Sequence, residues 1–430
     1  MLQAMKKTKY KLILLCSIIY FVSYFARKDF AAVMVEMINT KVIDEMTGGY
    51  IGMGLFICYG IGQLVSGYLG DIIKPSRLIF FGLTVTAICN LAMPLVPGGA
   101  AMIPIWAVNG FAQAMLWPPI VRILADHLNR EEFVRSNLIV TCSAHISTIL
   151  LYLYIPVCLK YFSWKAVFFS ATILSSLAIA LLIIALYFVL PEDTIKAPKR
   201  KSKQAVSDTS ENIEGNYFKI LTGAGIFYIF ASIIMMGFLR DGIESWLPTL
   251  YSAAFNRSAN ESILVSVSLP IFALISIILI TVIHNTKLFK NEALGAMILF
   301  GFATLSSLPI ILLITKEHIV ARFACLILSC LICAFMHGIN FLFISCLPGR
   351  FARYGKAATT SGFCNAFTYV GAAVSTYGMA LISNVFDWRA TIISWAIVGG
   401  LGVLFTLLAV RSYRRFITNT ERTDSNEGRN

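Results

Sequence analysis

The sequence predicts an all-α integral membrane protein with twelve transmembrane helices arranged as two pseudo-symmetric six-helix bundles. Three observations carry that prediction. Of 430 residues, 58% are hydrophobic and 13% charged, about half the charged share of a soluble domain. The apolar residues fall into twelve runs, each near the ~20 residues that a bilayer-spanning helix needs. Lys and Arg gather in alternate loops, and one long polar stretch divides the runs six and six. These features exclude an ordinary soluble enzyme, a disordered acidic chain and a disulfide scaffold. The net charge of +13 does not indicate a nucleic-acid partner, because charge is too sparse between apolar runs to build a basic face. The partner that composition implies is the lipid bilayer.

Taken in order, the first six runs are 12–34, 50–70, 78–96, 101–124, 134–159 and 164–190. The first follows Lys6, Lys7, Lys9 and Lys11 and so imitates a secretory signal. No small-x-small cleavage site follows it, and it runs into Arg27, Lys28 and Asp29, so it is read as an uncleaved span. Gly62, Ser66 and Gly70, at steps of four, form a small-residue stripe suited to close packing of the second helix. Trp117-Pro118-Pro119 removes two successive backbone donors and bends the fourth helix. Arg122, one turn on, is read as a structural ion pair with Asp126.

Residues 191–216 are polar, with Lys199, Arg200 and Lys201 followed by Asp208, Glu211 and Glu214, the composition of a flexible linker. The expected organisation is an N-terminal bundle at 1–190, this linker, a C-terminal bundle at 217–415 and a disordered tail at 416–430. The second six runs are 218–251, 263–283, 294–314, 319–347, 357–384 and 391–410. Cys330 and Cys333 form a C-x-x-C inside the tenth, where packing on one helix face is expected rather than redox or zinc chemistry. No cofactor or metal is implied. Asn256 and Asn260 begin N-x-S patterns, which matter only in a secretory-pathway host.

Loop charge sets the orientation. Of 35 Lys and Arg residues, 24 lie on the side shared by both termini and seven on the other. The positive-inside rule then places both termini in the cytoplasm, in the plasma membrane if the host is bacterial. The remaining four, Arg27, Lys28, Arg122 and Arg240, lie within spans.

The two halves echo each other. Phe25-Ala26-Arg27 in span one matches Phe238-Leu239-Arg240 in span seven, an offset of 213. Phe162-Ser163-Trp164-Lys165-Ala166 before span six matches Phe386-Asp387-Trp388-Arg389-Ala390 before span twelve, an offset of 224. Parallel repeats of this kind suggest a transporter with its site at the repeat interface. A charge in mid-membrane costs about 2.5–3.5 kcal/mol on insertion scales, so each must face a cavity or a partner. Asp29 could neutralise Arg27, and Asp241 or Glu244 could neutralise Arg240. The other expectation is that the matched arginines face the central axis. Arginine stays protonated and offers a planar fork to phosphate or carboxylate, so two of them make an anion site, with phosphate the best fit.

The run F-A-R-K-D-F at 25–30 resembles the helix-one signature of the organophosphate:phosphate antiporters of the major facilitator superfamily, and L-R-D-G-I-E-S-W-L-P-T-L at 239–250 is similar to their helix-seven segment. Y-G-I-G-Q at 59–63, L-W-P-P-I-V-R at 116–122 and S-A-H at 143–145 add to the likeness, which runs from about residue 10 to 410. H-G-I-N at 337–340 and N-A-F-T-Y-V-G at 365–371 are closer to sugar-phosphate exchangers. The resemblance implies the major facilitator fold and assigns the phosphate group to Arg27 and Arg240. It further implies that a helix-two position, here Gln63, and the helix-five histidine, His145, line the site; Lys28, Tyr59, Trp117, Asp241, Asn340 and Tyr369 are the remaining candidate substrate contacts. Gln63 departs from the lysine of glycerol-phosphate transporters, and Ser245 from the acid usual before Trp246. Lys28 follows Arg27 by ~100° around the helix, so both cannot point at the axis. His145 falls opposite Tyr369 on the 224-residue offset, and His337 and Asn340, at i and i+3, share a helix face.

The function expected is exchange of a small organophosphate, of the sugar-phosphate or glycerol 3-phosphate class, for inorganic phosphate by alternating access in a monomer. An ion-coupled organic-anion symporter and a transporter-like sugar-phosphate sensor are the alternatives. A membrane enzyme is not supported, since the sequence holds no G-x-S-x-G, H-E-x-x-H, Walker loop or metal-spaced His/Cys cluster.

Overall fold

The computed structural model describes residues 2–189, 223–284, 286, 289–316, 318–351 and 357–427; the expected linker at 191–216 lies outside the described residues. Among them, twelve helical stretches are long and apolar enough to cross a membrane. The first six comprise α1 (Leu2–Asn39), α2 (Glu45–Ile72), α3 (Pro75–Ala92), α4 (Gly99–Gln113) with α5 (Trp117–His127), α6 (Arg130–Tyr161) and α7 (Trp164–Ile184). The second six comprise α8 (Ile226–Phe255), α9 (Ala259–Val265) with α10 (Ser268–Ile283), α11 (Glu292–Leu313), α12 (Ile319–Asn340), α13 (Ala357–Val385) and α14 (Trp388–Glu427).

Local chemistry explains the ends and interruptions. Asp44 caps α2 by accepting the Thr47 N–H at 2.7 Å, and Asn129 and Glu132 close a capping box on α6. Asp387 accepts the Ala390 N–H at 2.6 Å at the start of α14, and the echoed Trp164 and Trp388 each open a helix. Pro118 and Pro119 cannot donate to the preceding turn; accordingly span four breaks at Ala114–Leu116 rather than merely bending, and α5 restarts at Trp117. Span ten carries a π-helical segment, Phe341–Cys346, directly after Asn340. The helix bounds of α14 extend to Glu427, through the stretch expected as a tail from 416. Phe416 stacks on Phe351 with centroids 5.2 Å apart and Ile417 is buried, so packing carries the helix past its apolar run.

The chain divides into two compact units: Met1–Arg200 with Glu244–Leu274 and Thr376–Val385, and Lys201–Ile243 with Ile275–Ser375 and Phe386–Asn430. Residues 244–274 and 376–385, from the second half of the sequence, thus group with the first six spans. In the first unit, α2 packs on α4 where a Cβ at Gly110 would overlap the Leu55 carbonyl, and Gly62 abuts Ala114 and Phe111. Trp246 donates to the Thr376 carbonyl at 3.1 Å, Ser383 donates to Glu45 at 2.7 Å, and Asn39 donates to Ser252 at 3.4 Å. In the second unit, α8 and α13 meet through Gly237 against the Thr368 carbonyl and Gly371 against the Ile234 carbonyl. Buried Glu292 accepts from Arg350 Nε at 3.0 Å and from the Tyr413 hydroxyl at 3.2 Å, tying α11, span ten and α14 together. Exposed apolar stripes such as Ile173, Leu177 and Ile184 on α7 and Leu305, Leu308 and Leu312 on α11 have the helical spacing of lipid-facing surfaces.

Candidate functional site

In the first unit the chemistry centres on Arg27. Its guanidinium carbon lies 4.2 Å from the Tyr24 ring centroid and 4.9 Å from that of Tyr59. Two aromatic faces so placed hold the cation by quadrupole attraction. Tyr24 and Tyr20 are one and two turns back along α1, and their rings meet edge to face at 5.0 Å. Tyr20 in turn lies 4.6 Å from Trp117, the first residue of α5. The structure therefore brings Arg27, Tyr59 and, through Tyr20 and Tyr24, Trp117 into one aromatic-cationic cluster. Gln63, one turn after Tyr59 on α2, is half-buried. Sequence reasoning missed Tyr20 and Tyr24, although their spacing of seven and three before Arg27 puts them on its helix face.

Lys28 takes the direction that helix geometry requires and pairs with Glu244 at 2.6 Å. Asp29 does not neutralise Arg27; it is fully buried and accepts the Phe30 N–H at 2.8 Å. His145 is buried on α6, and its Nδ1 lies 3.2 Å from the Thr141 carbonyl. A carbonyl can only accept, so Nδ1 carries the hydrogen in that contact. Arg122 and Asp126 form the expected i, i+4 pair at 3.6 Å.

In the second unit the centre is Arg240, a buried guanidinium on α8. Its two terminal nitrogens are oriented separately: one donates to Asn340 Oδ1 and the other to Asp241 Oδ2, both at 2.6 Å. Asn340 is the last residue of α12, where the π-helical segment begins. The structure thus unites three of the expected residues, Arg240, Asp241 and Asn340. Tyr369 and His337 are half-buried on α13 and α12. Cys330 and Cys333 are both buried.

The Major Facilitator Superfamily profile matches residues 16–376. The chain belongs to this superfamily. A probable hexose phosphate transport protein of Chlamydia pneumoniae is 22% identical over 405 residues, covering 90% of this chain and 88% of that protein. The glycerol-3-phosphate transporter of Bacillus subtilis is 26% identical over 258 residues, 56% of each chain. These relatives match the organophosphate:phosphate antiporter family that the two arginine motifs resemble. Among solved structures, a bacterial homologue of the human lysosomal transporter Spinster, inward-facing and unoccupied, superposes with a TM-score of 0.74 at 12% identity over 95% of this chain and 98% of that one. That likeness confirms the major facilitator fold. This superfamily member is accordingly a multi-pass membrane transporter rather than an enzyme.

Proposed function

We propose that the protein exchanges a small organophosphate, of the sugar-phosphate or glycerol 3-phosphate class, for inorganic phosphate, and that Arg27 and Arg240 bind the phosphate group. The observation that carries this is the pair of echoed arginines, one per sequence half, each held in a defined orientation: Arg27 over two tyrosine rings, Arg240 by Asn340 and Asp241. Relatives named for hexose phosphate and glycerol 3-phosphate support the substrate class. The six-helix halves at 1–190 and 217–415 alternate access as a monomer, with both termini cytoplasmic, and Lys28, Tyr59, Gln63, Trp117, His145, Asp241, Asn340 and Tyr369 complete the contacts. An ion-coupled symporter working through Asp241 or Glu244 has less support, since each carboxylate sits 2.6 Å from a cation.

Thermal unfolding of the purified protein against inorganic phosphate, glycerol 3-phosphate, hexose 6-phosphates and phosphoenolpyruvate tests the assignment. Ligand at about 100 times its Kd stabilises the bound state by about 2.7 kcal/mol. The expected outcome is stabilisation by inorganic phosphate and at least one organophosphate, abolished in Arg27→Ala and in Arg240→Ala. If both variants bind and exchange phosphate like the wild type, the assignment is wrong. Binding without flux in proteoliposomes would indicate a sensor.

A further inference from the structure

One buried group has no part in the proposed phosphate chemistry. Asp29 is 0% exposed, and while its Oδ1 accepts the Phe30 N–H at 2.8 Å, its buried Oδ2 has no hydrogen-bond partner among the described residues. The surroundings are as short of donors. Asn90 Nδ2 on α3 and Asn109 Nδ2 on α4 donate to the Ala26 carbonyl at 3.1 and 3.2 Å. Gln113 Nε2 donates to Thr86 Oγ1 at 3.3 Å. The amide oxygens of all three, Asn90 Oδ1, Asn109 Oδ1 and Gln113 Oε1, are buried and lack a donor among the described residues. Turning either asparagine over would set its oxygen against the Ala26 carbonyl, acceptor to acceptor, so the orientation is fixed. Helix geometry sets that carbonyl beside the Phe30 N–H, the group that also reaches Asp29. The carboxyl and the two asparagines therefore share one turn of α1.

Among the described residues no cation pairs with Asp29. α4 carries no titratable residue, and α3 carries Arg77 and Cys89. Arg77 is 13 residues from Asn90, about 20 Å along the helix. On α1 itself Arg27 lies over Tyr24 and Tyr59, and Lys28 is bound to Glu244. Lys165 of α7 and Arg135 and Lys160 of α6 are exposed, His145 of α6 turns its Nδ1 to the Thr141 carbonyl, and the acids of α6, Glu131 and Glu132, lie in its first turn. Tyr59 on α2 faces Arg27, Glu45 accepts from Ser383, and Asp126 on α5 pairs with Arg122. A buried ionised carboxylate without a cation or a full set of donors is strongly disfavoured. One hydrogen repairs both deficits, because a carboxylic acid is a donor.

We propose that Asp29 is a proton-binding site, separate from the arginines, where the acid forms an Oδ2–H bond with a proton from water and donates it to an amide oxygen of Asn90 or Asn109. The proton can leave only when water reaches α3 and α4 at this turn, so its binding favours the conformation in which Asp29 is buried.

Infrared spectroscopy of the purified full-length protein, without substrate, reads the site independently of the phosphate proposal. Near neutral pH the wild type is expected to show the carbonyl stretch of a protonated carboxylic acid that shifts in D2O and is missing from Asp29→Asn. Asn109→Ala is expected to move that band without removing it, which keeps the test valid if Asp29→Asn does not fold. Identical wild-type and Asp29→Asn spectra, or a band unmoved by both Asn109→Ala and Asn90→Ala, overturn the proposal. Sodium-specific thermal stabilisation lost in Asp29→Asn, with no acid band in the wild type, also overturns it and makes the occupant a sodium ion.

Discussion

At the scale of single residues, the aromatic contacts of Arg27 and the hydrogen bonds of Arg240 can each be tested. Arg27 rests on aromatic faces, an attraction of about 0.5–2 kcal/mol that does not need the tyrosine hydroxyl. Tyr59→Phe should therefore leave the phosphate Kd within about two-fold, whereas Tyr59→Leu should weaken it several-fold, both read by thermal shift with inorganic phosphate. Arg240 is fixed by hydrogen bonds, one of them to a carboxylate 2.6 Å away that offsets its charge. Asp241→Asn keeps an acceptor and removes the offset, so inorganic phosphate should bind more tightly, by several-fold, in equilibrium binding. Unchanged or weaker binding would mean that Asp241 serves mainly to aim the guanidinium. The arginines themselves were legible from their motifs and offset. Their partners were legible only in part. Adjacent residues on a helix diverge by ~100°, which separates Lys28 from Arg27 and carries Asp29 away from it, yet the long Arg240 side chain still reaches Asp241. The Lys28–Glu244 pair joins residues 216 positions apart, and no local pattern announces such a contact.

At the scale of elements, glycines set how closely helices approach. A Cβ on Gly371 would overlap the Ile234 carbonyl, and Gly237 meets the Thr368 carbonyl in the same crossing of α8 and α13. Gly371→Ala should thus cost about 1–3 kcal/mol through overpacking, seen as a lowered melting temperature. Gly301, inside α11 where a Cβ would meet nothing within 4 Å, is the control; there Ala should stabilise by up to about 1 kcal/mol through helix propensity. The cap of α2 adds a pH dependence. Hydrogen bonds from the Thr47 side chain and backbone hold the Asp44 carboxyl below its usual range. A lowered native value means that the stabilisation is present above the unfolded pKa and is lost as pH falls through the native one. Asp44→Ala, expected to cost about 1 kcal/mol at neutral pH, should cost less in strong acid, as thermal melts across that range would show. Hydropathy and charge made the twelve spans legible, and Pro118-Pro119 marked the interruption of the fourth. The π-helical segment at 341–346 was not legible, because its sequence, F-L-F-I-S-C, has the apolar character of the helix on either side.

At the scale of the whole molecule, charge separates topology from chemistry. Most of the excess of Lys and Arg sits in the segments between spans, while Arg27, Lys28, Arg240, Asp241 and Glu244 together carry one formal positive charge. The contact units were not legible in the sequence, since they divide α8 after Ile243 and α13 after Ser375, inside uninterrupted helices where composition does not change. Two bare guanidiniums would make an empty carrier very costly to close against water, but Asp241 already meets Arg240 and Glu244 meets Lys28. On the proposed two-arginine site, the formal positive charge would favour a carrier loaded with phosphate, at ~1.5–2 negative charges near neutral pH, over an empty one during reorientation. Efflux of labelled phosphate from proteoliposomes should consequently be slow into phosphate-free medium and accelerate at least about tenfold when unlabelled phosphate is added outside, a change of about 1.4 kcal/mol in barrier. In Glu244→Gln the positive charge rises and the empty carrier should reorient more slowly still, widening the ratio; equal efflux with and without external phosphate would show that the empty protein reorients freely and that transport is not obligatory exchange.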